Sequence, residues 1–338
     1  MSTDNILETP RGKVMLYALG GAGLNICSAM FESHRDHNEE GMASIDTCYL
    51  DSSAANLKPS MPTDKIYIVP VPEGEDGSGK ERKKNAQLIM KHVKDILHKH
   101  PPGYINVLVS SASGGTGAVF AAVLTNELLK MDQLVINITI GVADSGAEIK
   151  NTLDTLQSFE GIVGSLDKAV PVAYFENSKE TPMSKVDEEV AELIAAISVV
   201  FSRMNEGLDT RDLYNFLNIE RKSDHKPHAV GLKAFAGNLV QDEHRDTITV
   251  ASVVTTKDNR GIDFKLPYTT YGVMPPGMND EITSQAPVHL VTTAYPFNDI
   301  AKRLKGFLSE MEKAANARTM RSELLSGNEN MEGGFLVL

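Results

Sequence analysis

Hydrophobic and polar positions change period repeatedly along the first half of the chain. Short apolar runs predict strands, and apolar residues spaced by three and four predict helices between them. The strands are Val14–Leu19, Ile45–Leu50, Ile66–Val71, Ile105–Val109, Leu134–Val142 and Val170–Phe175, and the helices are a stretch from Leu24, then Lys80–His100, Ala118–Leu129 and Ala147–Val163. This alternation predicts an α/β protein with a parallel sheet between two helix layers. Such sheets bind nucleotides at the carboxyl ends of their strands.

A long helix is predicted next, over Pro182–Glu206. Its second half, Leu193–Phe201, is apolar on nearly every side, so we expect neighbouring elements to bury it. At 1.5 Å per residue the helix would be about 37 Å long, enough to join two domains. We expect Gly207 to end it.

The pattern changes after this helix. The polar, Pro-containing stretch Arg221–His228 predicts a domain boundary. A last helix is expected to start near Asn298, a suitable N-cap after Pro296. Further strands are predicted at Thr247–Thr255, Lys265–Val273 and Val288–Ala294. The predicted division is a first domain over residues 1–182, the helix and its following loop over 183–220, a second domain over 221–325, and a tail over 326–338.

Composition narrows the class of protein. The 338 residues carry 33 Lys and Arg against 45 Asp and Glu, a net charge of -12, which disfavours direct nucleic-acid binding. No apolar run approaches the roughly 18 residues that span a bilayer, and the polar first 13 residues do not resemble a secretion signal. Two cysteines, Cys27 and Cys48, cannot form a disulfide framework or a four-thiolate zinc site. We therefore expect the protein to reside in a reducing cytosol.

The strongest local motif is Ser111–Gly117, SASGGTG, between a predicted strand and a predicted helix. Glycines let the backbone approach a ligand closely, and the helix start directs N–H groups towards the loop. These features suit a phosphate. A tight strand-to-helix turn that only needs glycine is the alternative, and this motif alone leaves both open.

A second strand–glycine–helix junction, Gly20–Gly23, strengthens the phosphate interpretation. A dinucleotide fold would need a third glycine where Ile26 stands, although Asp51 after the second strand could serve as a ribose-binding acid. A third loop, Gly74–Lys80, nearly matches a P-loop. It is followed by Glu81 rather than the Ser or Thr that binds magnesium, so a P-loop ATPase is disfavoured.

Two acids, Asp209 and Asp212, follow the long helix at a spacing that places them on one face of a helix start. Carboxylates on one face can hold a water molecule or Mg²⁺. Helix-start acids that complement the helix dipole are the common alternative. The histidines lack metal-ligand spacing, and no G-x-S-x-G elbow indicates a hydrolase.

Taken in order, these features resemble the tubulin/FtsZ superfamily of polymerising GTPases, up to about Glu220. The resemblance rests on the junction at Gly20–Gly23 with Asn25, Asp51-Ser52-Ser53, the loop Gly74–Gly79, Ser113–Gly117, Asn177, the long helix and the acids Asp209 and Asp212. It implies a Rossmann-like GTPase domain with a parallel sheet, a long central helix, and a smaller α+β C-terminal domain with a mixed sheet.

The resemblance also implies a role for each matching position. The two glycine junctions would hold the phosphates of GTP, with Mg²⁺ as cofactor, and the loop Gly77–Gly79 would sense the γ-phosphate. Glu148 is the candidate for the ribose, and Asn177 and Asp187 would bind the guanine edge. Asp209 and Asp212 would enter the nucleotide pocket of the next subunit, so hydrolysis to GDP waits for assembly. The implied nucleotide-binding set is Gly20, Gly21, Ala22, Gly23, Asn25, Asp51, Gly77, Ser78, Gly79, Ser113, Gly114, Gly115, Thr116, Gly117, Glu148, Asn177 and Asp187.

Some positions depart from the family pattern. Ser113 and Val119 replace the first and last glycines of the usual signature, and Gly207 stands where FtsZ has an Asn. The compact second domain and the short tail, acidic and then apolar, resemble the phage-encoded tubulins. We therefore expect the tail, which ends in Phe335–Leu338, to dock on a neighbouring subunit.

The leading hypothesis is thus a cytoplasmic GTP-driven filament that polymerises with copies of itself and moves cargo such as phage DNA or particles. With a charge of -12, contact with DNA would need an adaptor protein, and no membrane partner is expected. A non-polymerising nucleotide-binding regulator of the same fold is the alternative. Retained Asp209 and Asp212 argue against it. An NAD-linked oxidoreductase is disfavoured by the missing glycine.

Overall fold

One ten-stranded sheet runs through the computed structural model, which describes residues 11–33, 41–71, 82–178, 180–274 and 286–326. Its strand order is β3-β2-β1-β4-β5-β6-β7-β10-β8-β9. The strands are β1 Lys13–Leu19, β2 Ser44–Asp51, β3 Ile66–Ile68, β4 Ile105–Ser111, β5 Val135–Val142, β6 Val170–Asn177, β7 Ala229–Ala236, β8 Thr247–Val254, β9 Tyr268–Val273 and β10 Val288–Thr293. The helices are α1 Gly20–Glu32, α2 Arg82–Lys99, α3 Gly117–Lys130, α4 Gly146–Leu166, α5 Met183–Val200, α6 Thr210–Leu217 and α7 Pro296–Ser326.

Strands β1 to β6 are parallel. The central strands β1, β4 and β5 are buried on both faces, which explains why they appear in the sequence as continuous apolar runs. Successive residues of β1 point to opposite sides. Leu16 packs in the core formed with α1 and α5, and Tyr17 packs in the core formed with α2, α3 and α4. The predicted parallel sheet with helices on both faces is confirmed.

The second half of the sheet is mixed, as expected. Strand β10 is antiparallel to both β7 and β8, and β8 is parallel to β9. Strand β7 was not predicted. It pairs in parallel with the start of β6, where Val170 lies opposite Ala229, and so joins the two halves into one sheet.

The predicted central helix is present as α5, but its predicted end at Glu206 is wrong. It ends at Val200 and is about 27 Å long, not about 37 Å. Long-range backbone bonds remove the following residues from the helix. Gly12 N donates to Ser202 O at 2.7 Å, and Glu206 pairs with Val273 in both directions at 2.8 and 2.7 Å. Gly207 therefore does not end the helix.

The last helix, α7, begins at Pro296, not at Asn298. Proline suits the first helical position because it has no N–H to leave unpaired. Asn298 lies in the first turn, and its N–H donates to Tyr295 O at 3.2 Å. Within the described ranges no helix is both long and apolar enough to cross a membrane. The predicted tail, after Ser326, lies outside them.

Candidate nucleotide-binding and hydrolytic sites

The two predicted glycine junctions meet at the carboxyl edge of the sheet, because β1 and β4 are adjacent and in register there. Gly20 has a φ of +64°, and a Cβ on it would lie 2.9 Å from Gly117 N. A Cβ on Gly117 would lie 2.5 Å from Leu19 O. Neither position can carry a side chain unless the backbone shifts, so the predicted loops Gly20–Gly23 and Ser113–Gly117 form one glycine-lined surface.

This surface has the chemistry of an anion site. The N-cap residues of α1 and α3, Leu19 and Thr116, make no side-chain capping bond, and neither first turn carries an acid. The first N–H groups of both helices are therefore not capped by side chains, and both positive helix ends face the same edge. A phosphate satisfies such groups.

The loop after β2 completes a third side of the site. Ser52 Oγ lies 3.1 Å from Thr116 Oγ1, so this loop touches the SGGTG loop directly. Asp51, only 3% exposed, accepts from Ser52 N at 2.7 Å and from Asn56 Nδ2 at 3.0 Å. The buried Asp51 carboxylate thus fixes the backbone of Ser52 and the side chain of Asn56 in this loop. Nothing in the sequence pattern marks Asn56, which also packs against the first glycine loop: a Cβ on Gly21 would lie 3.1 Å from its Nδ2.

Side chains from α2 and α4 hold the SGGTG loop from behind. Asn151 Nδ2 donates to Ser113 O at 3.0 Å, and the Thr155 hydroxyl lies 2.8 Å from Ala112 O. The Arg82 guanidinium donates to Thr155 Oγ1 at 2.9 Å. Nothing in the sequence pattern distinguishes these residues, because they meet the loop only through tertiary packing. The predicted γ-phosphate residues Gly77, Ser78 and Gly79 lie outside the described residues.

The candidates for the base and ribose differ in how they are placed. Asn177 ends β6, and its Oδ1 is buried with no hydrogen-bond partner among the described residues. Asp187 lies half-buried on α5, and burial raises the pKa of its carboxyl although Lys58 opposes the shift. Glu148 is bonded to Ser145 at the start of α4, with 2.9 Å between Ser145 Oγ and Glu148 Oε2. Asn25 is exposed on α1.

Asp209 and Asp212 form a capping box at the start of α6. Asp209 Oδ1 accepts from Arg211 N at 2.8 Å and from Asp212 N at 2.9 Å, and Asp212 Oδ2 accepts from Asp209 N at 3.3 Å. The alternative role of these acids, at the start of a helix, is therefore confirmed. Asp209 can still take part in chemistry, because it is exposed and only one of its oxygens takes part in the capping box.

The acid pair lies at the opposite edge of the sheet from the glycine loops. Tyr104, directly before β4, stacks edge-on against Phe201 with 6.2 Å between ring centroids, and Arg203 lies 5.2 Å from its ring. Helix α6 is held at the same edge, because Tyr214 OH donates at 2.9 Å to Asp132 Oδ1, just before β5. Strand β4 has seven residues, so about 20 Å separates the pair from the loop that follows β4. The pair cannot reach a phosphate in its own subunit.

The sheet order, the paired glycine loops and the distant acids define a protein of the tubulin/FtsZ fold. No family model matches the chain. A phage tubulin-like protein of Pseudomonas phage phiKZ is 27% identical over 335 residues, covering 96% of this chain and 98% of that protein. Another, of Pseudomonas phage PhiPA3, is 24% identical over 328 residues, covering 96% and 99%.

Solved structures agree. TubZ from bacteriophage PhiKZ, determined as a protofilament, matches with a TM-score of 0.79 and 26% identity, covering 96% of this chain and 95% of that one. Within the tubulin/FtsZ superfamily, the chain resembles the phage-encoded tubulins along its whole length.

Proposed function

We propose that this protein is a GTPase that polymerises head to tail and hydrolyses GTP between subunits. One observation carries the proposal: the glycine-lined surface and the acid pair lie at opposite edges of one sheet, separated by the length of β4, about 20 Å. Head-to-tail stacking brings the acid pair of one subunit over the glycine loops of the next. The relatives support the same assembly, since TubZ was determined as a protofilament and PhuZ201 as a filament.

The nucleotide in this proposal is GTP, with GDP as the product. The uncapped starts of α1 and α3 bind the phosphates. Asn177 Oδ1, which is buried and has no hydrogen-bond partner among the described residues, and the half-buried Asp187 face the guanine. A carboxylate accepts from the N1–H and the amino group of guanine together, which adenine does not offer. A phage tubulin, PhuZ, was determined with GDP.

Hydrolysis in this arrangement needs a positioned water molecule and compensated charge rather than covalent chemistry. The exposed Asp209 carboxylate presents an oxygen that can accept a hydrogen bond from the attacking water. The backbone N–H groups of the glycine loops stabilise charge on the phosphates of the neighbouring subunit.

Mg²⁺ fits this site as a phosphate-bound ion. In the described part of the chain no group of three or more His, Cys, Asp or Glu side chains can hold a metal. Mg²⁺ commonly binds substrate phosphates and keeps several waters, so it does not need such a group. The hydroxyls of Ser52 and Thr116, which lie 3.1 Å apart beside the glycine loops, would be available to such an ion as oxygen ligands.

The tail is proposed to strengthen the contact between subunits. A groove of about 360 Å³ runs between α2, α3 and α4, with Met90 60% exposed beside Lys94. An acidic segment that ends in Phe335–Leu338 would place its apolar end against the apolar part of this groove and an acid beside Lys94. Deleting residues 326–338 should raise the concentration needed for assembly, and unchanged assembly would show that the tail does not dock.

The proposed role is cytoskeletal: filaments in the cytoplasm of a bacterial host position or segregate cargo such as phage DNA or particles through an adaptor. A non-polymerising nucleotide-binding regulator would keep the glycine loops, and Asp209 and Asp212 would then serve only as the capping box of α6.

Sedimentation and electron microscopy with GTP, and with a slowly hydrolysed analogue, test the proposal. The informative variant is Asp209→Asn, because Asn caps a helix about as well as Asp but carries no charge. We expect Asp209→Asn to assemble and to hydrolyse GTP far more slowly. Asp299→Ala, which removes an exposed acid from the first turn of α7, is the control and should behave as wild type. Absence of filaments in both nucleotides, or normal hydrolysis by Asp209→Asn, would refute the proposal.

A further inference from the structure

We propose that Tyr268 is a positioning residue for the hydrolytic acid pair and that it acts by holding the carboxylate of Asp212. This inference rests on the proposed function, because it concerns the same site. It names a residue from the second half of the sheet, far from the acids in sequence.

The contact that carries the inference joins β9 to α6. Tyr268 OH donates to Asp212 Oδ1 at 2.9 Å, while Asp212 Oδ2 accepts from Asp209 N at 3.3 Å. Asp212 is therefore held at both oxygens, one from each side. Burial raises the pKa of Tyr268, and its bond to Asp212 adds to the shift, so the phenol keeps its proton and remains a donor.

The same strand also holds the loop that leads to Asp209. Glu206 is bridged to Val273 of β9 by two backbone bonds. Asn205 lies against Gly272, where a Cβ would be only 1.9 Å from Asn205 Oδ1. Asn205 Oδ1 also accepts from Leu208 N at 3.3 Å, one residue before Asp209. This chain has Gly207 where FtsZ has an Asn, and Asn205, two residues earlier, supports the loop instead.

Segment 205–212 is therefore attached to β9 at both of its ends. Within the described residues Asp209 Oδ2 accepts no hydrogen bond, whereas both oxygens of Asp212 do. The two acids accordingly have different roles. Asp209 offers its Oδ2 to water. Asp212, which is held by Tyr268, maintains the capping box and thereby the orientation of the Asp209 side chain.

The test compares Tyr268→Phe with Tyr271→Phe in the full-length protein. Both substitutions remove one phenolic hydroxyl from β9, and that of Tyr271 contacts Arg260 at 3.1 Å instead of an acid. We expect Tyr268→Phe to assemble with a slowly hydrolysed GTP analogue at the wild-type critical concentration. We expect its GTP turnover per sedimented subunit to fall by about 10-fold to 150-fold, the range typical for a lost hydrogen bond to a charged group. Tyr271→Phe should match wild type in both measurements.

A double-mutant cycle separates positioning from general support of the fold. If Tyr268 acts through Asp212, then Tyr268→Phe has no further effect on turnover in an Asp212→Ala background, which offers the phenol no acceptor. An equal loss in both backgrounds, or wild-type turnover of Tyr268→Phe, overturns the inference. Asp209→Asn is measured alongside. If Asp209→Asn is slow and Tyr268→Phe is normal, only this inference fails, whereas normal turnover of Asp209→Asn refutes the proposed function itself.

Discussion

Gly117→Ala is the substitution that most directly tests the contact between the two glycine loops. The added methyl group would lie 2.5 Å from Leu19 O and 3.2 Å from Leu19 C. Ordinary contacts of carbon need about 3.5 Å, so the start of α3 must move about 1 Å away from the end of β1. The atoms that the methyl group meets belong to the backbone at the end of β1, which pairs with β2 and β4, so they cannot rotate away as a side chain could.

The effect on binding follows from the cost of that overlap. Inserting a methyl group into a packed site costs about 1 to 3 kcal/mol. The free protein can relieve the strain by separating the loops, but a bound phosphate requires them at their native distance. The strain therefore adds to the free energy of binding, and GTP affinity should fall about fivefold to 150-fold.

The assay is titration of a fluorescent GTP analogue at protein concentrations below assembly. Gly164→Ala is the matched control, because that helical glycine of α4 has no atom within 4 Å of an added Cβ. Gly164→Ala should bind GTP as wild type does and be slightly more stable, by up to about 1 kcal/mol. Wild-type affinity of Gly117→Ala would show that the two loops do not bind phosphate together.

Three further predictions concern stability and reactivity. Burial lowers the pKa of His289 to about 4, so the unfolded state binds more protons than the folded state as the pH falls below 6.5. The free energy of unfolding should therefore fall by up to about 3 kcal/mol between pH 6.5 and pH 4. Urea unfolding of His289→Gln should show a correspondingly weaker dependence of stability on pH. Arg303 donates to Glu176 from Nη1 and Nη2, but its side chain is 42% exposed, so solvent screens the ion pair. Arg303→Ala should therefore lower the free energy of unfolding in urea by about 1 kcal/mol or less, and a much larger loss would show that solvent does not screen the pair. Burial raises the pKa of Cys27 and Cys48, so a thiol reagent should label neither until the protein unfolds, and rapid labelling of the native protein would contradict their burial.

Much of the fold was predictable because it depends on local patterns. Buried parallel strands are apolar on both faces, so β1 and β4 to β6 are visible as apolar runs. The end of α5 was not predictable, because no local breaker sets it. The apolar pattern continues to Met204, and the helix stops where the backbone of Ser202 and Glu206 bonds to distant strands. Strand β7, AVGLKAFA, was missed because Gly231 and Lys233 interrupt its apolar run.

The residues of the candidate site differ in the same way, because only those in a local sequence pattern could be predicted. Glycine loops between strands and helices can be recognised, since their composition follows from close backbone contact. Asn56, Asn151 and Tyr268 carry no such local pattern, and each reaches the site only because another element packs beside it. The capping box also shows why Asp209 and Asp212 are ambiguous in sequence. The same spacing that caps a helix also places two carboxylates together.

The central claim is that one subunit supplies the nucleotide and its neighbour supplies the acids. Mixing two defective variants tests it most directly. Asp209→Asn keeps an intact pocket, and Gly117→Ala keeps intact acids. We predict that the mixture hydrolyses GTP faster than the sum of the two separate preparations, because some interfaces join a good pocket to a good acid pair. Hydrolysis equal to that sum, in a mixture whose variants sediment together, would contradict the claim.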